Sequence, residues 1–161
     1  MSDKLFSTPK ENYGDKYNDH LFEQYRLYVE SAEKISDRRQ SANNYFITIN
    51  TALIAILGLS FQASFFEVIT WARPLLAFVG IIICVIFWYL LRSYKQLNTG
   101  KFTVIHEIEQ RLPLALYDYE WDILGKGEKK DIYYPFSHVE LWIPRVFGLI
   151  YFILGIVFLI N

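Results

Sequence analysis

The sequence predicts an all-α integral membrane protein with three transmembrane helices and helical extensions outside the bilayer. Three apolar stretches of spanning length predict this fold, and they lie at residues 42–62, 74–91 and 142–160. A helix needs roughly 20 predominantly apolar residues to cross the hydrocarbon core. Aromatic residues form 18% of the chain and cluster at the ends of these stretches, where amphipathic rings favour the bilayer interface. We therefore expect one membrane domain at residues 19–161.

The segment before the first span divides into a polar arm and an amphipathic helix. Residues 1–18 are expected to form a flexible arm. They lack the apolar core of a signal peptide, so we expect the first span to be retained. Residues 19–41 should form a cytoplasmic helix, because their apolar positions recur at spacings of three and four. Those positions are Leu21, Tyr25, Tyr28, Ala32 and Ile35.

The first span, residues 42–62, combines apolar residues with a stripe of small and polar ones. No charged residue lies between Arg39 and Glu67, so the helix passes from a charged surface into the bilayer without a turn signal. An unpaired amide in hydrocarbon is costly, so the stripe should face protein or water. It can serve helix-to-helix packing or line a hydrated pore formed by several copies. The candidate residues for these roles are Asn44, Thr48, Asn50, Thr51, Gly58 and Gln62.

The second and third spans carry simpler signals. An arginine lies on each side of residues 74–91, and the span begins with a proline, which suits the first turn of a helix. Cys84 is the only cysteine, so the chain cannot form an internal disulfide, and its apolar surroundings favour a packing role. In residues 142–160, Gly148 and Gly155 share one helix face, as in a helix packing seam.

Residues 92–140 should lie in the cytoplasm as a helix followed by an aromatic loop. Helical spacing of apolar residues continues to Pro113, and Asn98–Gly100 is a place where the helix could bend or break. The aromatic loop is a candidate docking surface for a cytoplasmic protein. Its interleaved acidic residues argue against a nucleic-acid partner. The candidate surface residues are Tyr117, Trp121, Tyr133, Tyr134 and His138.

Basic residues predict the orientation of the three spans. Lys34, Arg38 and Arg39 precede the first span, and many more basic residues lie between the second and third. The first connection carries only Arg73. The positive-inside rule therefore places the N-terminus and residues 92–140 in the cytoplasm, and the C-terminus on the opposite side.

The sequence favours a protein without enzymatic activity. It contains no nucleophile–base pair, metal-ligand set or phosphate-binding glycine loop at the required spacing. The helical two-histidine zinc motif is absent at His106, because Gln110 occupies the position of the second histidine. We therefore expect no catalytic residue, no cofactor and no metal site.

Three short segments together resemble the RipA family of small octameric bacterial inner-membrane proteins. They are residues 28–46 (YVESAEKISDRRQSANNYF), 91–102 (LRSYKQLNTGKF) and 134–140 (YPFSHVE). The resemblance covers residues 19–161 and implies a ring-like homo-oligomer of eight subunits. It also implies a location in the bacterial cytoplasmic membrane, where the partners are further copies of the chain and the membrane lipids.

Two functions follow as hypotheses. The leading one is an envelope-associated scaffold or regulator, with the cytoplasmic helices and aromatic loop as its docking surface. The alternative is a gated pore lined by Asn50, Thr51 and Gln62. The helix entering the first span and the two-span hairpin also resemble membrane effector modules of bacterial anti-phage systems, which implies a membrane-perturbing defence role. The third span departs from that two-span pattern.

Overall fold

A computed structural model describes residues 2–61, 71–128, 131–133 and 135–160. These residues form helices and turns, and none of them lies in a strand. Within these ranges, three helices are long and apolar enough to cross a membrane, at Tyr17–Leu59, Ala72–Glu109 and Trp142–Ile160. The predicted all-α fold with three membrane-spanning helices is therefore confirmed.

The helices are labelled in chain order over the described ranges. They are α1 (Ser2–Leu5), α2 (Lys10–Tyr13), α3 (Tyr17–Leu59), α4 (Ala72–Glu109), α5 (Leu116–Ile123), α6 (Phe136–Glu140) and α7 (Trp142–Ile160), with a 3-10 turn at Gly125–Gly127. Helix α4 continues through Asn98–Gly100, where the sequence allowed a bend. A single glycine costs a helix only about 1 kcal/mol relative to alanine, which is too little to end it.

The chain forms two compact units. The extension unit consists of Met1–Asp37 and Gln96–Tyr134, and the span unit consists of Arg38–Lys95 and Pro135–Asn161. Helices α3 and α4 each contribute residues to both units, whereas α7 belongs entirely to the span unit.

Helices α3 and α4 run antiparallel in the span unit. The rings of Phe46 and Phe87 stack, with centroids 3.9 Å apart and 5° between their planes. Further along α3, Arg73 Nη2 donates a hydrogen bond of 2.6 Å to the carbonyl oxygen of Ser60. Residue numbers at these contacts fall along α4 as they rise along α3, so the two helices run in opposite directions. The bond from Arg73 also satisfies a carbonyl just past the end of α3, where the helix dipole favours a cation.

Helix α7 runs parallel to α3 in the same unit. Phe147 meets Phe46 edge to face at a centroid distance of 5.8 Å, and Phe158 meets Phe61 at 5.1 Å. Residue numbers at these contacts rise along both helices, so the two helices run in the same direction. Such aromatic pairs contribute about 0.5–1.5 kcal/mol each beyond the area that they bury.

The core of the span unit draws on all three helices. Helix α7 approaches α4 through Gly148 and Gly155, where added Cβ atoms would lie 3.7 Å and 3.8 Å from the Cβ atoms of Cys84 and Ala77. The packing seam predicted from these glycines therefore faces α4. The buried residues of the core are Phe46, Leu57, Ala77, Cys84, Phe87, Leu91 and Tyr151.

A buried ion pair joins α3 to α6 within the span unit. Arg39 Nε lies 3.5 Å from Glu140 Oε2, and the Glu140 side chain is only 4% exposed. Burial raises the pKa of the Glu140 carboxyl, and the charge of Arg39 opposes that rise. Loss of either partner would leave the other charge buried, which is strongly destabilising.

Helices α3 and α4 are also antiparallel in the extension unit. Lys101 Nζ donates a hydrogen bond of 2.7 Å to Ser31 Oγ and lies 4.4 Å from the centre of the Tyr28 ring. Arg111 Nη1 donates to the Tyr17 hydroxyl at 3.4 Å. The apolar residues buried in this unit include Ala32, Ile105 and Ile108.

The range predicted as a flexible arm, residues 1–18, contains α1 and α2. The guanidinium carbon of Arg111 lies 3.3 Å from the centre of the Phe6 ring. The Tyr13 hydroxyl lies 2.9 Å from His20 Nδ1. The arm therefore has specific contacts within the extension unit.

Glu109, at the end of α4, holds three helices of the extension unit together. Its carboxylate accepts hydrogen bonds from the Tyr25 hydroxyl at 2.8 Å and from the backbone N–H groups of Tyr117 and Asp118, both at 3.1 Å. The N-cap residue of α5 is Ala115, whose side chain cannot accept a bond, so Glu109 provides the missing cap. Burial and the bond to Glu109 raise the pKa of Tyr25, which keeps its phenol protonated as the donor.

Replacement of Glu109 by alanine should destabilise the extension unit by roughly 2–3 kcal/mol, because its three part-buried donors would be left without an acceptor. We expect a lower Tm for the detergent-purified protein and faster proteolysis within Leu116–Ile123. Glu107→Ala on the same helix is the matched control, since Glu107 has no ion pair in the described ranges. Equal thermal stability of the two variants would contradict the capping role of Glu109.

Candidate functional site

One face of α3 in the span unit is small, polar and exposed. We name it the polar stripe, and it consists of Asn44, Thr48, Thr51, Ala55 and Gly58. Successive members are three or four positions apart, so they follow one helix face. The stripe is about 21 Å long at about 1.5 Å per residue, which is much of the roughly 30 Å of hydrocarbon in a bilayer. Gln62, predicted to extend it, lies outside the described residues.

The polar stripe receives little cover from its own subunit. All its members are exposed, and a Cβ added at Gly58 would meet no neighbouring atom within 4 Å. Thr48 Oγ1 donates a hydrogen bond of 2.9 Å to the carbonyl oxygen of Asn44, so this hydroxyl is satisfied within the helix. The side-chain amide of Asn44 has no hydrogen-bond partner among the described residues. This surface therefore suits contact with another protein helix or with water rather than with lipid.

Asn50 lies on a different face of α3, and here the structure differs from the sequence-based expectation. Its side chain is fully buried. Its Nδ2 donates to the carbonyl oxygen of Phe46 at 2.8 Å, and its Oδ1 accepts from the Tyr151 hydroxyl at 2.9 Å. Thr51, the next residue, is rotated by about 100° around the helix axis and is exposed. The structure therefore separates Asn50 from the polar stripe and makes it a packing residue of its own subunit.

Tyr151 and Gly80 complete this internal contact, and sequence reasoning missed Tyr151. Tyr151 is fully buried, and its hydroxyl also lies 3.2 Å from the carbonyl oxygen of Asn50. Its ring lies against α4 at Gly80, where a Cβ would be 2.7 Å from three ring atoms. Cys84 Sγ adds a weak contact at 3.8 Å to Asn50 Oδ1. One polar cluster thus joins all three spanning helices, and glycine is needed for the close approach of the ring.

The aromatic residues predicted as a docking surface differ in their exposure. Trp121 is exposed, whereas Tyr117 and Tyr133 are half-buried. The Tyr117 ring packs edge-on against a phenylalanine of α4 at a centroid distance of 5.6 Å. Tyr134 and the side chain of His138 lie outside the described residues. Among the candidates that can be placed, Trp121 is therefore the residue most available to a partner.

A second exposed surface lies on α5. Leu116, Tyr119 and Ile123 are 62%, 68% and 59% exposed. Their spacing of three and four puts them on one helix face, which we name the α5 face. Sequence reasoning selected the neighbouring rings and missed Leu116 and Ile123, although their helical spacing is visible in the sequence. An exposed apolar helix face is typical of a surface that contacts another protein.

A comparison with known protein families supports a membrane assembly. The model of the octameric membrane protein family (8xMP) matches residues 22–160 of the chain. No curated protein and no solved structure matches the chain. The matched range contains the polar stripe, the buried cluster around Asn50 and the α5 face.

Gly80→Ala should destabilise the span unit by roughly 1–3 kcal/mol, the usual cost of overpacking. The rigid ring of Tyr151 cannot move away without losing its hydrogen bonds to Asn50. The expected result is a lower Tm for the detergent-purified protein. Gly100→Ala on the same helix is the control, because a Cβ there meets no atom within 4 Å and alanine favours a helix. A Gly80→Ala protein as stable as the wild type would rule out this close contact.

Proposed function

The chain belongs to the octameric membrane protein family, and we propose that it is a non-enzymatic membrane scaffold or regulator that works as a ring of eight subunits. The proposed location is the bacterial cytoplasmic membrane, with the N-terminus in the cytoplasm. Two observations support that location: the basic residues flanking the spans and the resemblance of three segments to the RipA family.

The observation that carries the proposal is the exposure of the polar stripe. Asn44 and Thr51 would be poorly solvated by lipid, and Gly58 leaves room for a second helix to approach closely. Hydrogen bonds between membrane helices contribute roughly 0.6–2 kcal/mol each. Eight subunits repeat these contacts around a ring, so the small free energies of the individual hydrogen bonds sum over eight interfaces.

The geometry of a closed ring adds a constraint. A cyclic assembly joins two different surfaces of neighbouring subunits, so each interface is head to tail. The polar stripe of one subunit therefore packs against a different face of the next one. Substitutions in the stripe should then affect assembly without affecting the fold of the subunit itself.

The α5 face favours a scaffold that binds another protein over an assembly that only contacts its own copies. Leu116, Tyr119 and Ile123 are exposed and belong to the extension unit, away from the apolar spans in sequence. An apolar stripe on a helix can bind a groove or a helix of another protein. A ring would present eight such faces to its partners, and this repetition raises the apparent affinity of a multivalent partner.

A gated pore is the second candidate, and the same stripe favours it. Asn44, Thr48 and Thr51 expose polar groups along one helix face, as a water-filled lumen requires. Asn50 does not belong to this wall, because its side chain is buried inside the subunit. The pore and the scaffold therefore differ in what the stripe contacts: water in a pore, and a neighbouring helix in a scaffold.

Gly58→Leu should break or weaken the octamer, because it adds a bulky side chain at a surface reserved for a neighbouring helix. The subunit should still fold, since Gly58 has open space around it within its own chain. The molecular mass of the detergent-purified protein, measured by light scattering, checks this. Gly100→Leu is the control, because that position is also open. An intact Gly58→Leu octamer would remove the stripe from the subunit interface.

Liposomes containing the wild-type octamer should show no ion flux above protein-free liposomes if the stripe is packed against helices. The pore candidate instead requires flux that Thr48→Leu/Thr51→Leu abolishes while the octamer stays intact. Thr103→Leu is the matched control, because Thr103 is exposed and its hydroxyl bonds to the carbonyl oxygen of Thr99, as that of Thr48 does to Asn44. Flux that depends on the stripe would replace the scaffold by the pore.

A further inference from the structure

An open groove lies between α4 and α7 in the span unit. Its volume is about 480 Å³. The lining residues used below are Ile81, Val85, Trp88, Arg145 and Phe152. From Ile81 to Trp88 it follows α4 for about 10 Å, at about 1.5 Å per residue. The groove is therefore long enough to hold part of an extended hydrocarbon chain.

One end of the groove is cationic and aromatic. The guanidinium carbon of Arg145, which lines this end, lies 5.0 Å from the centre of the Trp142 ring. The guanidinium carbon of Arg92 lies 5.6 Å from the ring of Trp88, which lines the same end. Both arginines are exposed, and neither forms an ion pair within the part of the chain that the structure describes. Arginine and tryptophan together are typical of the headgroup level of a membrane.

The rest of the groove is apolar. Val85 is 50% exposed and Phe152 is 57% exposed, and both belong to helices that are apolar enough to cross the membrane. None of the described residues that line the groove is acidic. A ligand of this site therefore combines a negative charge at one end with a hydrocarbon chain.

We propose that the groove binds one anionic phospholipid. Its phosphate lies beside Arg145 and Arg92, and one acyl chain follows the apolar part of the groove towards Phe152. The planar guanidinium group suits a phosphate because it can donate two parallel hydrogen bonds. A zwitterionic lipid carries its own cation, which offsets this attraction, so the site prefers a lipid with net negative charge.

The charges favour a lipid over a helix from a neighbouring subunit. A lipid phosphate can pair with the two arginines, whereas a helix that filled the groove would do so only if it carried a carboxylate. The polar stripe, our candidate for the neighbouring surface, contains no acidic residue. The lipid site rests on the membrane location of the chain and is independent of the scaffold role.

Native mass spectrometry of the full-length protein in detergent tests the site. The probes are phosphatidylglycerol and phosphatidylcholine with the same acyl chains. We expect phosphatidylglycerol to bind roughly tenfold more tightly, the factor of one charge-assisted contact. Arg92→Gln/Arg145→Gln should abolish this preference. Arg38→Gln, an exposed arginine outside the groove, should leave it unchanged.

Two results would overturn the lipid site at its charged end. One is equal binding of the two lipids by the wild type. The other is an equal loss of preference in Arg38→Gln, which would reveal diffuse attraction by surface charge instead of a defined site.

The apolar end has its own test. Val85→Trp fills the groove and should reduce phosphatidylglycerol binding while the mass of the octamer stays the same. If this variant instead dissociates the octamer, a neighbouring subunit occupies the groove and the lipid site is wrong. Failure of the scaffold proposal appears in ion flux or in Gly58→Leu, so the two proposals can fail separately.

Discussion

The hydrogen bond between Asn50 and Tyr151 determines how α3 is rotated within the span unit. An amide in an apolar interior is costly unless it is bonded, so Asn50 must face the other helices. At about 100° per residue, the polar stripe then lies roughly 80–160° away from Asn50 around the helix axis. Burial of the face that carries Asn50 therefore leaves the face that carries the polar stripe exposed. Gly80 makes this arrangement possible, because it lets the Tyr151 ring lie directly against α4.

Local patterns in the sequence predicted the fold class, but they did not predict the rotation of the helices. The apolar stretches identified the three spans, and the spacing of Gly148 and Gly155 identified a packing seam. Helical spacing alone places Asn50 about 100° from Thr51, but the burial of the Asn50 face depends on Tyr151, which lies 101 residues away. Helix α5 likewise has no cap in its own sequence, and the residue that caps it, Glu109, is recognisable only once the chain has folded. Neither of these contacts leaves a periodic signal in the sequence.

Three of the exposed surfaces on the described residues differ in their chemistry. The polar stripe is small and uncharged, the groove joins a cationic end to an apolar channel, and the α5 face is apolar and belongs to the extension unit. These differences match three kinds of proposed partner: another copy of the chain, an anionic lipid and a soluble protein. In an octamer each surface is repeated eight times, so weak individual contacts become effective together. This division of surfaces agrees with the proposed scaffold role.

The contact between Tyr25 and Glu109 also has a consequence for biosynthesis. These residues are 84 positions apart, so at 5–20 residues per second the ribosome needs roughly 4–17 s to supply the second after the first. During that interval the amphipathic start of α3 has no partner from α4, and both spans of the hairpin emerge. The extension unit therefore forms only after the chain beyond the second span has been made. Its completion marks a subunit whose membrane hairpin has already been synthesised.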